Sequence, residues 1–227
     1  ISSTSKIALI DALSLSGLGK IEATSFVNPK WVPQLADAAD VMAGITRTHG
    51  VSYSALAPNL KGAEAAIEAG CDEIAVFISA SQGFSKANLN CSIEDSIRHI
   101  CPAIERAQNA NVKVRGYLSC VIECPYDGAV SPYDVAELAQ RLVELGCYEV
   151  SLGDTIGSAN VDTTREMLTA VLRVLAPSQV AGHFHDTNGQ ALANIQCSLD
   201  FGVRTFDTSI GGLGGCPYAP GSAGNVD

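Results

Sequence analysis

From Ser131 to Asp154 the chain reads SPYDVAELAQRLVELGCYEVSLGD, and this stretch holds one complete helix-to-strand unit. Val135, Leu138, Ala139, Leu142 and Val143 recur at i, i+3, i+4, i+7 and i+8, the spacing of a single buried helical stripe. Ser131 supplies a side-chain oxygen for the free N–H groups of the first turn. Pro132 brings a preset φ to the first helical position, and Asp134 a negative charge near the positive end of the helix. Gly146 closes the helix, where a left-handed residue is needed. Residues 149–154 then read as a strand ending on Gly153 and Asp154.

The same unit recurs in both directions. Residues 21–25, 52–57, 73–79, 113–120, 180–186 and 205–210 also have strand character, and the chain opens in a helix expected over 4–15. Ser92 to Asp95 is a second capping signal, and Gly17, Gly70 and Gly202 each end a helical run. Strands alternating with helices imply βαβ units and a parallel sheet. The two common solutions are an open doubly wound sheet and a closed barrel. No Gly-x-Gly-x-x-Gly turn follows the first strand, polar residues collect at the C-terminal ends of several strands, and no composition break marks a linker. These features favour an α/β fold of the (β/α)8 TIM-barrel type, a single domain over 1–227. Seven strands are found where eight are needed, so strand 1 of the barrel is expected upstream of Ile1. The chain reads as truncated at both ends, the interior piece of a longer protein.

Composition narrows the function. Of 227 residues, 47% are apolar and 17% charged, with a net charge of −10, which excludes disorder and leaves no basic field for gripping a nucleic-acid backbone. No apolar run approaches the ~18–20 residues of a membrane span. The eight cysteines are scattered, several within apolar runs, and read as reduced thiols of a cytosolic or matrix protein. Cys120 and Cys124 bracket a strand end with no further ligands nearby, so they read as structural and not as half of a zinc site.

Four places carry chemistry. His183 and His185, two apart on a strand, share a face with Phe184 turned the other way, and two adjacent imidazoles make half of a metal site. Glu22 lies within a short strand, on the face of Thr24 and opposite Ala23 and Ser25. It is either a site carboxylate or the ion-pair partner of Arg115. Asp154 sits at a strand end, where barrel active sites gather, and competes with a plain turn or helix cap. The last strand leads into a glycine-rich loop over 211–225 that holds Cys216, expected to be the reachable thiol of the eight, and Asn225, whose amide oxygen suits a hard cation.

These residues together resemble the 3-hydroxy-3-methylglutaryl-CoA lyase family of metal-dependent barrels. The likeness runs over the whole chain and includes Glu22 to Val27, Pro29 to Gln34, Pro58 to Gly62, Cys147 to Thr155 and His183 to Asp186. The His-x-His and Gly-Asp-Thr pieces are shared with condensing synthases, whereas the Gly-Leu-Gly-Gly-Cys-Pro-Tyr loop is narrower and resembles the lyase signature, with Ile210-Gly211 in place of Val-Ala. The resemblance implies a Mg²⁺ or Mn²⁺ ion held by His183, His185 and Asn225, a catalytic thiol at Cys216, and catalytic roles for the carboxylates Glu22 and Asp154. It places a further metal-binding Asp and a carbonyl-polarising Arg on the strand upstream of Ile1. The implied reaction is retro-Claisen cleavage of an acyl-CoA substrate by a homodimer, in the cytoplasm of a bacterium or in the mitochondrial matrix. A sister aldolase or condensing synthase, or a barrel without activity, are the competing readings.

Overall fold

The computed structural model describes residues 1–214, 219 and 221–227. The helices are α1 (Ser3–Ser14), α2 (Ala38–Gly44), α3 (Leu60–Glu68), α4 (Gln82–Leu89), α5 (Ile93–Asn109), α6 (Pro132–Glu144), α7 (Val161–Val171) and α8 (Ala191–Asp200). The strands are β1 (Lys20–Ser25), β2 (Ser52–Leu56), β3 (Glu73–Ser79), β4 (Lys113–Ser119), β5 (Glu123–Cys124), β6 (Gly128–Ala129), β7 (Glu149–Asp154), β8 (Val180–Phe184) and β9 (Thr205–Asp207). Seven of them form one sheet in the order β1-β2-β3-β4-β7-β8-β9, while β5 and β6 make a small antiparallel hairpin. Each strand of the large sheet lies beside its successor, and every pair of that sheet whose register is described runs parallel. This is the singly wound order of the (β/α)8 TIM barrel, with seven of its strands. A doubly wound sheet would reverse order midway.

The chain gathers into two compact units, one of residues 1–76 and 98–115, the other of 77–97 and 116–227. In the first, Tyr53 of β2 is buried, and its hydroxyl donates to Ser14 Oγ at 2.8 Å while accepting the Thr48 N–H at 2.9 Å, which ties the end of α1 to the sheet. Helix α3 starts at Asn59, whose side chain accepts the Gly62 N–H, and it buries only Gly62, Ala63 and Ala66. A Cβ on Gly62 would stand 2.9 Å from the Phe26 carbonyl oxygen, so glycine lets this helix close on the end of β1.

Strand β1 departs from strict alternation. Glu22 pairs with Ser54 but Thr24 pairs with Ala55, so Ala23 is an extra residue in a bulge. The register therefore puts Glu22 and Ser25 on one face and Thr24 on the other, correcting the shared face expected for Glu22 and Thr24. A period-2 pattern cannot register an inserted residue.

In the second unit, α6 begins as the sequence indicates: Ser131 accepts the Tyr133 N–H, and Val135, Ala136, Leu138, Ala139 and Leu142 are buried. All six residues of β7 are buried, as in a central strand covered on both faces. On β8, Phe184 is 1% exposed and packs with Ala159, Ala191 and Val226, flanked by Ile122, Ile195 and Phe206. Gly182 clears room for this ring, since a Cβ there would come within 2.8 Å of Phe184 Cε2 and 2.9 Å of Phe206 Cδ1. The last strand is shorter than expected: β9 stops at Asp207, and Ile210–Gly212 is a 3-10 turn. The β5–β6 hairpin was not indicated by the sequence pattern, because two-residue strands carry no readable period.

The seven described cysteines are free thiols. Cys71, Cys120, Cys124, Cys147 and Cys197 are buried, whereas Cys91 and Cys101 are only half-buried, so burial does not separate all seven from solvent. Burial pushes the Cys120 and Cys147 thiols up to about 12 and Cys71 to about 11, which leaves all three protonated near neutral pH.

Phe184 is the side chain on which this unit's interior closes. Phe184→Ala should cost about 3–5 kcal/mol of unfolding free energy, read as a lower urea midpoint at unchanged slope. A shift within 0.5 kcal/mol would mean that the cluster repacks without it.

Candidate metal and active site

The C-terminal ends of β7, β8 and β9 meet in three registers: Ser151 with Ala181 and Thr205, Gly153 with His183 and Asp207, and Asp154 with Phe184. Parallel pairing puts residues of matching parity on one face. Ser151, Gly153, His183 and Asp207 therefore share a face, opposite the side where Phe184 is buried. His185, one step beyond β8, forms an isolated antiparallel bridge with Asn225. The His183 and His185 ring centroids lie 5.4 Å apart, so the imidazoles converge as their spacing predicts. Tyr117 of β4 stands near, its ring centroid 6.3 Å from that of His183.

The segment after β9 returns to lay Asn225 beside His185. Phe184 O accepts the Val226 N–H at 3.1 Å, Gly224 O accepts the Asp186 N–H at 3.0 Å, and Thr187 Oγ1 accepts the Ala223 N–H at 3.0 Å. The approach is close enough that a Cβ on Gly224 would overlap the Gly212 carbonyl oxygen. Gly157, at φ +69°, serves in the same way where the turn after β7 meets the turn after β8, since a Cβ would overlap Thr187 Oγ1.

Both imidazoles have their Nδ1 engaged. His185 Nδ1 lies 2.6 Å from the Ala223 carbonyl oxygen, and His183 Nδ1 lies 3.0 Å from Asp207 Oδ2. A carbonyl or carboxylate oxygen only accepts, so each Nδ1 carries a proton, and in the neutral ring it is Nε2 that holds the lone pair for a ligand. Burial holds the His185 pKa below its ordinary value, against the pull of the Ala223 hydrogen bond, which favours the neutral ring that a metal requires. Among the described residues, Asn225 Oδ1 is buried with no hydrogen-bond partner. An orphaned amide oxygen beside two oriented imidazoles is a donor set suited to a divalent cation. Among the described residues no three His, Cys, Asp or Glu side chains converge as a complete metal cage. These three residues therefore make a partial ligand set that one carboxylate would extend.

Asp154 is 1% exposed at the end of β7 and turned into the loop that follows it. Its Oδ1 accepts the Ser158 N–H at 3.1 Å and its Oδ2 the Ala159 N–H at 3.0 Å. Burial pushes its carboxyl up to about 6, while the backbone N–H groups of Ala159, Ser158 and Gly157 pull the other way. Glu22 belongs to the other compact unit, where it is exposed on β1 and does have an interaction partner. Cys216 lies outside the described residues. The sequence reading did not single out Asp207, Ser151 or Tyr117. A carboxylate inside a short apolar strand was a usable signal for Asp207, as it was for Glu22, but no one-dimensional pattern reports that Asp207 faces His183.

No helix among the described residues is long and apolar enough to cross a membrane. Residues 1–227 match the family model described as HMGL-like. The chain is 57% identical over 221 residues to the 3-hydroxy-3-isohexenylglutaryl-CoA/hydroxy-methylglutaryl-CoA lyase of Pseudomonas aeruginosa, covering 97% of this chain and 74% of that enzyme. It is 52% identical over 226 residues to the mitochondrial hydroxymethylglutaryl-CoA lyase of Macaca fascicularis, covering 100% of this chain and 70% of that one. The crystal structure of the HMG-CoA lyase from Brucella melitensis superposes with a TM-score of 0.97 at 60% identity, covering 100% of this chain and 80% of that one.

The buried Asp154 gives the fold a pH dependence of definite sign. Its folded-state value near 6 stands above the unfolded 3.8, so its stabilising share is complete below about pH 4 and lost as pH rises through about 6. In metal-free protein, the stability of wild type minus that of Asp154→Asn should fall by about 2–3 kcal/mol between about pH 4 and pH 7.5, read by urea unfolding. A difference independent of pH would mean that the carboxyl titrates like an exposed one.

Proposed function

The chain belongs to the HMGL-like family, and on that premise we propose that it is a carbon–carbon lyase that cleaves 3-hydroxy-3-methylglutaryl-CoA to acetyl-CoA and acetoacetate. The observation that carries this reading is the pairing of two imidazoles, each with Nδ1 already bound, with the partnerless amide oxygen of Asn225. Two nitrogens and a neutral oxygen favour Mg²⁺ or Mn²⁺ over a thiolate-rich zinc site. His183, His185 and Asn225 would hold the ion, with a carboxylate from the strand that the resemblance places upstream of Ile1. When bound, the cation supplies Lewis acidity that lets a tertiary hydroxyl lose its proton near neutral pH.

Chemically, the substrate's tertiary hydroxyl gives up its proton to the surrounding water, which later returns one to the thiolate so that no net proton is gained or lost. The oxygen lone pair forms the ketone of acetoacetate, and the bond to the thioester's α-carbon breaks. The electron pair of that bond stays with the acetyl-CoA fragment as an enolate. Cys216 donates a proton to the enolate carbon, which completes acetyl-CoA and leaves a thiolate to be reprotonated. An ordinary thiol pKa near 8.5 suits this exchange near neutral pH. Glu22, exposed on β1, and Asp154, buried in the rim turn, are the carboxylates this reading assigns to the site. The committed hydrogen bonds of Asp154 suit holding the turn at 154–159 in shape beside β8. The name of the Pseudomonas relative includes a longer branched acyl chain, so the methyl-bearing substrate is the specific part of the proposal. The reaction calls for no membrane and no nucleic acid, and the protein works as a homodimer, in the cytoplasm of a bacterium or the mitochondrial matrix.

The test is Cys216→Ala and Cys216→Ser in the full-length protein, assayed for acetyl-CoA release with Mn²⁺ saturating. Turnover should drop roughly 10²–10⁴-fold with little change in substrate affinity, the size expected for one acid–base group. Near wild-type turnover in both variants would remove Cys216 as the proton donor. Absence of acetyl-CoA release by the wild type, with free CoA released from an acyl-CoA plus 2-oxo acid couple instead, would favour a condensing synthase.

A further inference from the structure

We propose that Asp207 is a positioning residue for the metal site. It holds the Nδ1 proton of His183 so that Nε2 is the ligating nitrogen, and Ser151 in turn holds Asp207. This rests on the reading of His183 as a metal ligand. Asp207 ends β9 in direct register with His183, and its Oδ2 lies 3.0 Å from the His183 Nδ1. The same Oδ2 accepts the Ser151 hydroxyl at 2.6 Å. Ser151 is on β7 and 1% exposed, and the Asp207 and His183 side chains are 19% and 26% exposed. Adjacent strands are about 4.8 Å apart, so Ser151 and Asp207 must reach toward each other across the whole of β8. Ala181 makes this possible. It is the β8 residue in register with both Ser151 and Thr205, and its methyl group leaves the space above it for the two side chains to meet.

The arrangement has three consequences for the imidazole. The carboxylate fixes which nitrogen carries the proton, because it can only accept. It pins the ring's rotation about χ2, since the bonded Nδ1 has one orientation toward Asp207. Its negative charge also makes Nε2 a stronger electron-pair donor. Gly153, level with His183 on the other neighbouring strand, offers no side chain that could compete for the ring, and a Cβ there would come no nearer than 3.9 Å to His183 Cδ2. His185 meets the same need differently, through the Ala223 backbone carbonyl. The orienting group for His183 is thus the one that substitution can remove.

The experiment is calorimetric titration of Mn²⁺ into the full-length, metal-stripped protein, on wild type, His183→Ala, Asp207→Ala and Asp207→Asn. Asp207→Ala should weaken Mn²⁺ binding by roughly 10–100-fold, the usual range for loss of a partner behind a ligating imidazole. Asp207→Asn, nearly the same shape and still able to accept from Nδ1, should weaken it by less than Asp207→Ala but at least threefold, because the charge is gone. Nitrogen-15 spectra of the metal-free proteins supply a readout that mere loss of packing would not move. His183 should sit in the Nδ1–H tautomer in wild type and in a tautomer mixture in Asp207→Ala. If Asp207→Ala does not fold, the Asn variant carries the test. Binding by both Asp207 variants within twofold of wild type, with His183→Ala strongly weakened, would overturn the positioning role and leave the metal site standing. Wild-type affinity in His183→Ala would overturn the metal-site reading, and this inference with it.

Discussion

The burial of Phe184 is the constraint from which the site follows. Its ring is enclosed by Ala159, Ala191 and Val226, and full burial of such a side chain is worth roughly 1.5–3 kcal/mol. On a strand, the neighbours of a buried residue must face the other way. Fixing Phe184 inward therefore fixes His183 and His185 together on the opposite face. A slip of one residue would drive two imidazoles into an apolar cluster and expose the ring, so the register admits no nearby alternative. Gly182 contributes by leaving out the Cβ that would collide with the Phe184 and Phe206 rings.

A strand gives direction to a side chain but does not set its rotation or protonation. Here those are set by groups brought in from other parts of the chain. The carbonyl of Ala223 reaches His185, Asp207 reaches His183, and Ser151 reaches Asp207. Two of these contacts depend on small residues. Ala181 leaves the gap over β8, and Gly224 lets the returning segment lie against Gly212 and present Asn225. The polar network and the absence of bulk around it form one device, since any larger side chain at these points would separate the partners. The carboxyl of Asp154 is held on the other side of β7's end, in the turn that meets the loop after β8.

Helix stripes, caps and terminating glycines were legible because they are local. The positive φ of Gly17, Gly70, Gly146 and Gly202 and the cap at Ser131 depend on neighbours within a few residues. The alternation of seven strands with helices was enough to specify a parallel sheet, because right-handed crossovers leave few ways to connect parallel neighbours, and the polar residues at several strand ends favoured the singly wound order over the doubly wound one. The pairing of His183 with His185 was legible for the same reason, being a matter of period two over three residues.

What tertiary structure alone decided lies where distant segments meet or where the period breaks. The bulge at Ala23 reversed the expected partnership of Glu22 and Thr24, because only the register against β2 reveals an inserted residue. The reach of Ser151 to Asp207 spans 56 positions of chain, and the bond from His185 to Ala223 spans 38. Neither is encoded by any spacing, since closing a long loop depends on the whole sheet already being formed. The sequence by itself determined the α/β barrel order and the shared face of His183 and His185, and only its family resemblance put Asn225 beside them as a candidate ligand. The folded chain decided which of their atoms are free to bind, because hydrogen-bond partners are chosen in space and not along the backbone.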